Sequence, residues 1–209
     1  MKVNPEMKVL AKQLISREVL KTKSLYDAFI ANDRKDFVPI MYQEYAYENM
    51  PLSIGFGQTI SQPYTVAFML ELLQPKLGDE ILDIGFGSGW TTGILAKTVG
   101  NEGSVFAVEI IPEVYKFGKV NLEKYNYPNI ELFLGSWLDL PERKFDCILA
   151  SAATHNYIVD ILIKKLKVGG RLVIPVKNTS GQSIRLVIKN DEFDIQEQNH
   201  PGFIFVPLV

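Results

Sequence analysis

Asp83-Ile84-Gly85-Phe86-Gly87-Ser88-Gly89 is the stretch that decides the fold. It continues the apolar run Ile81-Leu82-Asp83-Ile84, which has the character of a strand, and it leads into residues 91–99, which read as a helix. Glycine at alternate positions lets the chain turn sharply and lets a ligand approach bare backbone. The helix start that follows presents backbone N–H groups with no partner inside the helix. Strand, glycine turn and helix make the first half of a crossover unit.

The chain downstream repeats that alternation. Residues 104–108, 130–134, 145–150 and 171–175 read as strands, and 113–124 and 157–166 as helices. Such alternation implies a parallel sheet with right-handed crossovers. The unbroken apolar run Cys147-Ile148-Leu149-Ala150 suits a central strand covered on both faces. Residues 184–189 alternate apolar and polar, and 203–208 form a second extended run, so the pair predicts an antiparallel end to the sheet. The expected fold is α/β: a Rossmann-like, doubly wound, mostly parallel sheet of about seven strands with helices on both faces.

Upstream of the turn the character differs. Pro63 suits a first helical turn, and Val66, Met69, Leu70 and Leu73 follow at helical spacing. Earlier, Val9, Leu10, Gln13 and Leu14 share one helical face, as do Leu25, Ala28 and Phe29, which predicts an N-terminal helical cap. Phe37-Val38-Pro39 ends that zone, since the residue before proline avoids the helical region. Residues 42–61, with Pro51, Gly55 and Gly57, read as a loop, and its length marks it as functional.

Composition narrows the classes. The 209 residues suit one α/β domain, and 47% hydrophobic with 22% charged content excludes a disordered or fibrous chain. A net charge of -2 without a basic run argues against nucleic acid as the main partner. The single cysteine, Cys147, reads as a buried strand thiol and fits a reducing compartment. Residues 1–13 lack the apolar core of a signal peptide, and no stretch reaches a membrane-spanning length, so a cytoplasmic chain without a membrane partner is expected.

The turn itself is not a dinucleotide fingerprint, because the sixth position counted from Gly85 is Trp90 and from Gly87 is Thr92. The pattern acid-x-Gly-x-Gly-x-Gly resembles instead the motif of class I S-adenosylmethionine-dependent methyltransferases. The resemblance implies that Gly85, Gly87 and Gly89 pass under the ligand's amino acid part, with Asp83 pairing its ammonium directly or through water. Glu109 closes the next strand about 20 residues on, where an acid takes ribose hydroxyls in folds of this type. The alternative for Glu109 is a solvated carboxylate at a strand end.

The segment Met50-Pro51-Leu52-Ser53-Ile54-Gly55-Phe56-Gly57-Gln58-Thr59-Ile60-Ser61-Gln62-Pro63 resembles the protein-L-isoaspartate O-methyltransferase family. The likeness extends through Asp36-Phe37-Val38-Pro39, Gly169-Gly170-Arg171-Leu172-Val173-Ile174-Pro175-Val176 and Phe205-Val206-Pro207-Leu208. It implies methyl transfer from S-adenosylmethionine, leaving S-adenosylhomocysteine, to the α-carboxylate of isoaspartyl residues in damaged proteins or peptides. The ester then cyclises to a succinimide, whose hydrolysis restores some aspartate. The family's active-site serine falls on Ser61. Thr59 joins it as a second hydroxyl, and Ile54, Gln58 and Val206 are placed with the substrate. Ile110, Ser136 and Trp137 are placed with the cofactor beside Glu109. One domain over residues 1–209 is expected, acting as a monomer, with 1–61 as cap and substrate loop and 62–209 as cofactor core.

A carboxylate acceptor is already ionised at neutral pH and needs no general base. It must be held in line with the reactive methyl at roughly 3 Å, a task for orienting hydroxyls. Ser61 also stands just before Gln62-Pro63, where serine is a favoured helix cap, and the two roles are compatible. Gln58 and Thr59 can equally serve only to fix the loop.

The chain departs from the family in three places. Gly135-Ser136-Trp137 stands where glycine-aspartate-glycine is usual, so Ser136 offers adenine a neutral acceptor, weaker than a carboxylate. Trp137 either adds contact with adenine or is a core or surface aromatic. Thr154-His155-Asn156 replaces the end of an alanine-proline run, and His155 reads as a helix cap rather than a base. Trp90 replaces a tyrosine, and Asp83 stands where glutamate is frequent. These departures leave open a paralogue that methylates another peptide or small-molecule carboxylate, or a catalytically weak binder of S-adenosylmethionine. A nucleic acid amino-methyltransferase needs Asn/Asp-Pro-Pro-Tyr where this chain has Ser151-Ala152-Ala153-Thr154. A metal-dependent enzyme needs more ligands than Asn156 and Asp160, so no metal is expected.

Overall fold

The computed structural model of the chain describes residues 3–179 and 181–208. Helix α1 (Pro5–Ser16) starts at Asn4, whose side chain accepts from the Glu6 N–H at 3.0 Å. Its buried stripe is Met7, Leu10, Ala11 and Leu14. Val9 is 56% exposed, so the expected face is shifted by part of a turn: Leu10 and Leu14 pair inward with Met7 and Ala11. Helix α2 (Lys23–Ala31) buries Leu25, Ala28 and Phe29 as its spacing predicts.

Residues 42–61 are not an irregular loop. A 3-10 turn (Ile40–Tyr45) leads into an antiparallel hairpin of β1 (Leu52–Gly55) and β2 (Gln58–Ile60). Leu52 and Ile54 point inward and Ser53 outward, an alternation too short to stand out against its glycines. Gly55, Phe56 and Gly57 all take positive φ at the tip, which is why glycine flanks it. Helix α3 (Pro63–Leu73) follows, with Pro63 in its first turn.

The main sheet has the order β5-β4-β3-β6-β7-β8-β9. Its parallel strands are β3 (Glu80–Ile84), β4 (Ser104–Glu109), β5 (Ile130–Leu134), β6 (Phe145–Ala150) and the start of β7 (Leu166–Asn178). Strands β8 (Gly181–Lys189) and β9 (Ile195–Pro201) complete an antiparallel edge. The seventh strand lies earlier than expected. Residues 196–200 are polar and the strand is mostly exposed, as an edge strand tolerates, and backbone pairing with β8 forms it without a hydrophobic pattern. The apolar run at 203–208 instead crosses the strand ends, where Ala153 exchanges backbone hydrogen bonds of 2.8 Å with Val206 and Leu208.

One core layer joins α1, α2, α3, α4 (Trp90–Val99) and α5 (Pro112–Glu123) to the sheet. The opposite layer joins it to α6 (Asn156–Lys164) and the 3-10 turn Trp137–Asp139. Strand order reverses between β3 and β6, and a crevice opens at that point over the carboxyl ends of the strands. Among the described residues no helix is long and apolar enough to cross a membrane.

Candidate active site

The glycine turn closes on itself before it meets any ligand. The Gly85 and Phe86 N–H groups both donate to the Val108 carbonyl, at 2.8 and 3.2 Å, and the Gly89 N–H donates to the Phe86 carbonyl at 2.9 Å. Gly85, Gly87 and Gly89 have φ of +73°, +56° and +85°, a region that side-chain-bearing residues avoid. The three then divide. Gly85 and Gly87 line a cleft at the strand ends, and Gly89 does not. A Cβ on Gly89 would stand 2.8 Å from Leu122 Cγ and 3.0 Å from the Gly118 carbonyl oxygen, so that glycine serves the close approach of α5.

Glu109 is 6% exposed and forms one wall of the cleft. Its Oε2 accepts from the Gly87 N–H at 3.1 Å and its Oε1 from the Ile111 N–H at 3.0 Å. Each oxygen keeps lone-pair capacity, so the carboxylate is fixed in place and still able to accept two hydroxyls. Asp83 lies beneath the turn, fully buried and off the cleft surface. Its Oδ2 accepts from the Thr92 hydroxyl at 2.7 Å, while Oδ1 has no partner among the described residues. Burial pushes its pKa up to about 7, the Thr92 bond pulls the other way, and the nearby Glu109 charge adds to the rise. A half-satisfied buried acid under a ligand-facing turn is a group waiting for a cation or a water.

The opposite wall comes from β2 and the C-terminal run. Gln58, Thr59, Ile60, Ser61 and Val206 all face the cleft. Gln62, not Ser61, occupies the cap position of α3, and it makes no side-chain cap bond. The capping role expected for Ser61 is therefore absent, because the chain bends into the helix one residue later. No hydrogen bond to the Ser61 hydroxyl occurs among the described residues. Thr59, Ser61 and Val206 also line an adjoining cavity that includes Phe203 and Phe205. Ile54 is 5% exposed and does not reach the cleft; its Cδ1 would stand 3.7 Å from a Cβ placed on Gly87, so it supports the hairpin against the turn.

The far end of the cleft holds Ile110, Ser136 and Trp137. Ser136 caps the short turn by accepting from the Leu138 N–H at 3.2 Å, which leaves its oxygen one further lone pair. Trp137 is a core residue that also lines the cleft. His155 stands at the start of α6 but makes no side-chain cap bond; exposed, it stacks on Tyr157 with centroids 6.4 Å apart. It lines a separate cavity with Trp137 and Thr154. Cys147 is buried, and burial pushes its thiol pKa up, so it is a packing residue.

Two participants lacked any local signal. Thr92 holds Asp83 from the first turn of α4. Arg34, fully buried, donates to the Ser61 carbonyl from a turn 27 residues upstream.

Comparison with known proteins identifies the family. The model of the family "Protein-L-isoaspartate(D-aspartate) O-methyltransferase (PCMT)" matches residues 5–209. The chain is similar to protein-L-isoaspartate O-methyltransferases of Methanopyrus kandleri, 36% identical over 96% of this chain and 89% of that protein, and of Pyrococcus horikoshii, 38% identical over 91% and 87%. A Plasmodium falciparum crystal structure, described as a putative protein of the same kind in complex with S-adenosyl-L-homocysteine, shares the fold with a TM-score of 0.86 at 22% identity, covering 97% of this chain and 98% of that one. With a match along nearly its whole length and relatives this close, the chain belongs to the protein-L-isoaspartate O-methyltransferase family.

Proposed function

We propose that the cleft holds S-adenosylmethionine against Gly85, Gly87 and Glu109, and that Ser61 orients the acceptor carboxylate at its other wall. As a family member the chain is an S-adenosylmethionine-dependent O-methyltransferase that modifies L-isoaspartyl residues, the methylation step of protein repair. The observation that carries the site assignment is Ser61: its hydroxyl has no bond within the described residues, and the residue lines both the cleft and the adjoining cavity.

The residues fit the donor. Its ammonium suits the unpaired Asp83 Oδ1 beneath the turn, reached through water, and its ribose suits the fixed Glu109 carboxylate. Ile110, Ser136 and Trp137 then stand where the adenine would lie. When bound, S-adenosylmethionine supplies an electrophilic methyl group on a sulfonium. The protein's part is placement. An α-carboxylate has a pKa of about 3.5 and is ionised at neutral pH, so no side chain need take a proton. Ser61 and Thr59 donate hydroxyl hydrogens to one carboxylate oxygen and leave the other free to attack. Ile60 and Val206 give that spot apolar walls, which limit the water competing for the carboxylate.

The net charge of -2 supports a protein rather than a nucleic acid substrate. The lone buried thiol suits a reducing, cytoplasmic setting. Residues 1–61 supply the Ser61 wall and 62–209 the donor wall, though Val206 crosses that division.

The test is transfer of a labelled methyl group to an isoaspartyl peptide and to its aspartyl isomer. Base-labile label on the isoaspartyl peptide alone is expected. Equal labelling of both, or none despite donor binding, contradicts the assignment.

A further inference from the structure

Arg34 takes no part in the chemistry above, yet it is 0% exposed. No carboxylate lies within 4 Å of it among the described residues, so its charge is met by backbone dipoles. Its Nη1 donates to the carbonyls of Ala46 at 2.8 Å and Glu48 at 3.3 Å. Its Nη2 donates to Met50 at 2.9 Å and Ser61 at 3.2 Å. Met50 and Ser61 flank the β1–β2 hairpin, so one nitrogen holds both of its ends. The guanidinium also lies over the Trp90 ring, 5.4 Å from its centroid. Trp90 opens α4 directly after the glycine turn, and its indole N–H is anchored to the Asn32 carbonyl at 3.0 Å.

We propose that Arg34 is a positioning residue: it pins the two ends of the hairpin to each other and to Trp90, and so sets where the Ser61 hydroxyl stands relative to the glycine turn. The inference rests on the reading of Ser61 as the group that orients the acceptor. A buried cation without a counter-ion is costly to keep. Its retention fits a task that needs a planar fork of donors. Lysine carries the same charge on one compact nitrogen and cannot span carbonyls on both sides of a hairpin while stacking on an indole.

The experiment compares Arg34→Lys and Arg34→Gln with the unchanged enzyme. It measures kcat and KM for an isoaspartyl peptide, S-adenosylhomocysteine affinity by calorimetry, and thermal midpoint. Both variants are expected to lose about tenfold to a hundredfold in kcat/KM for the peptide, with ligand affinity changed by less than about threefold. Full activity of Arg34→Lys beside a loss in Arg34→Gln would make the charge, not the fork, responsible and overturn the proposal. Equal losses of activity and ligand affinity would make Arg34 a general prop and overturn it too. Should neither variant fold, hydrogen exchange on the unchanged enzyme decides: amides of residues 46–50 must be protected well beyond those of the tip, 55–57, and equal exchange refutes the clamp. Ser61→Ala is assayed in parallel. If that variant is fully active, the reading of Ser61 fails, while protection of residues 46–50 still reports on the clamp.

Discussion

The two walls of the cleft are built by different means. The donor wall is a strand-end structure: Gly85 and Gly87 follow β3, Glu109 ends β4, and neighbouring backbone N–H groups hold the carboxylate. Every part lies within a few residues of a parallel strand. The acceptor wall is a two-stranded hairpin and a C-terminal run, and its fixation is remote. Arg34 secures it from 27 residues upstream, and Val206 is held by Ala153. The contrast suggests that rigidity is local where a constant ligand binds and borrowed where a variable peptide must enter.

If the walls are separable, mutations should divide between them. The largest effect is expected on the acceptor side. Ser61→Ala should lower kcat about a hundredfold while S-adenosylhomocysteine affinity stays nearly unchanged, as kinetics beside calorimetry would show. Next comes the donor side: Glu109→Ala should weaken that ligand by about 2 kcal/mol, roughly thirtyfold, with kcat at saturation much less affected. Reversed effects would dissolve the division.

How far the sequence could be read follows the same line. The turn from Asp83 to Gly89, Glu109, the parallel strands and α2 were legible because each depends on residues adjacent in the chain. The hairpin was not, since its strands are four and three residues long and its inward pair, Leu52 and Ile54, is broken off by Gly55. β9 was missed because its sequence is polar and only pairing with β8 makes it a strand. Ser61 as helix cap was wrong by a single residue, since Gln62 takes the cap, and the packing role of Gly89 was not visible because α5, which takes the space above it, lies some thirty residues on. Arg34 could not be found locally, because its partners are carbonyls rather than side chains.

Smaller effects sharpen the comparison further. Gly89→Ala combines a positive φ with a Cβ 2.8 Å from Leu122, and should destabilise the fold by about 1–2 kcal/mol in chemical denaturation. The subtlest signal is a pH slope from Asp83. The unfolded chain releases that proton near pH 4, about the reference value for aspartate, while the folded chain holds it to about 7. The folded state therefore binds more protons in between, so this group makes stability fall as pH rises from about 4 to 7 and level off above. Asp83→Asn should remove that slope in denaturation series at several pH values. In the unchanged enzyme, affinity for the ligand's ammonium should rise as pH passes about 7, where the folded carboxyl ionises.

A crystal structure with S-adenosylhomocysteine and an isoaspartyl peptide bound together tests the two-wall account most directly. The account predicts the sugar hydroxyls on Glu109 and the peptide's α-carboxylate on the Ser61 hydroxyl, facing the sulfur. A carboxylate seated away from Ser61, for instance in the cavity beside Thr154 and His155, would contradict it.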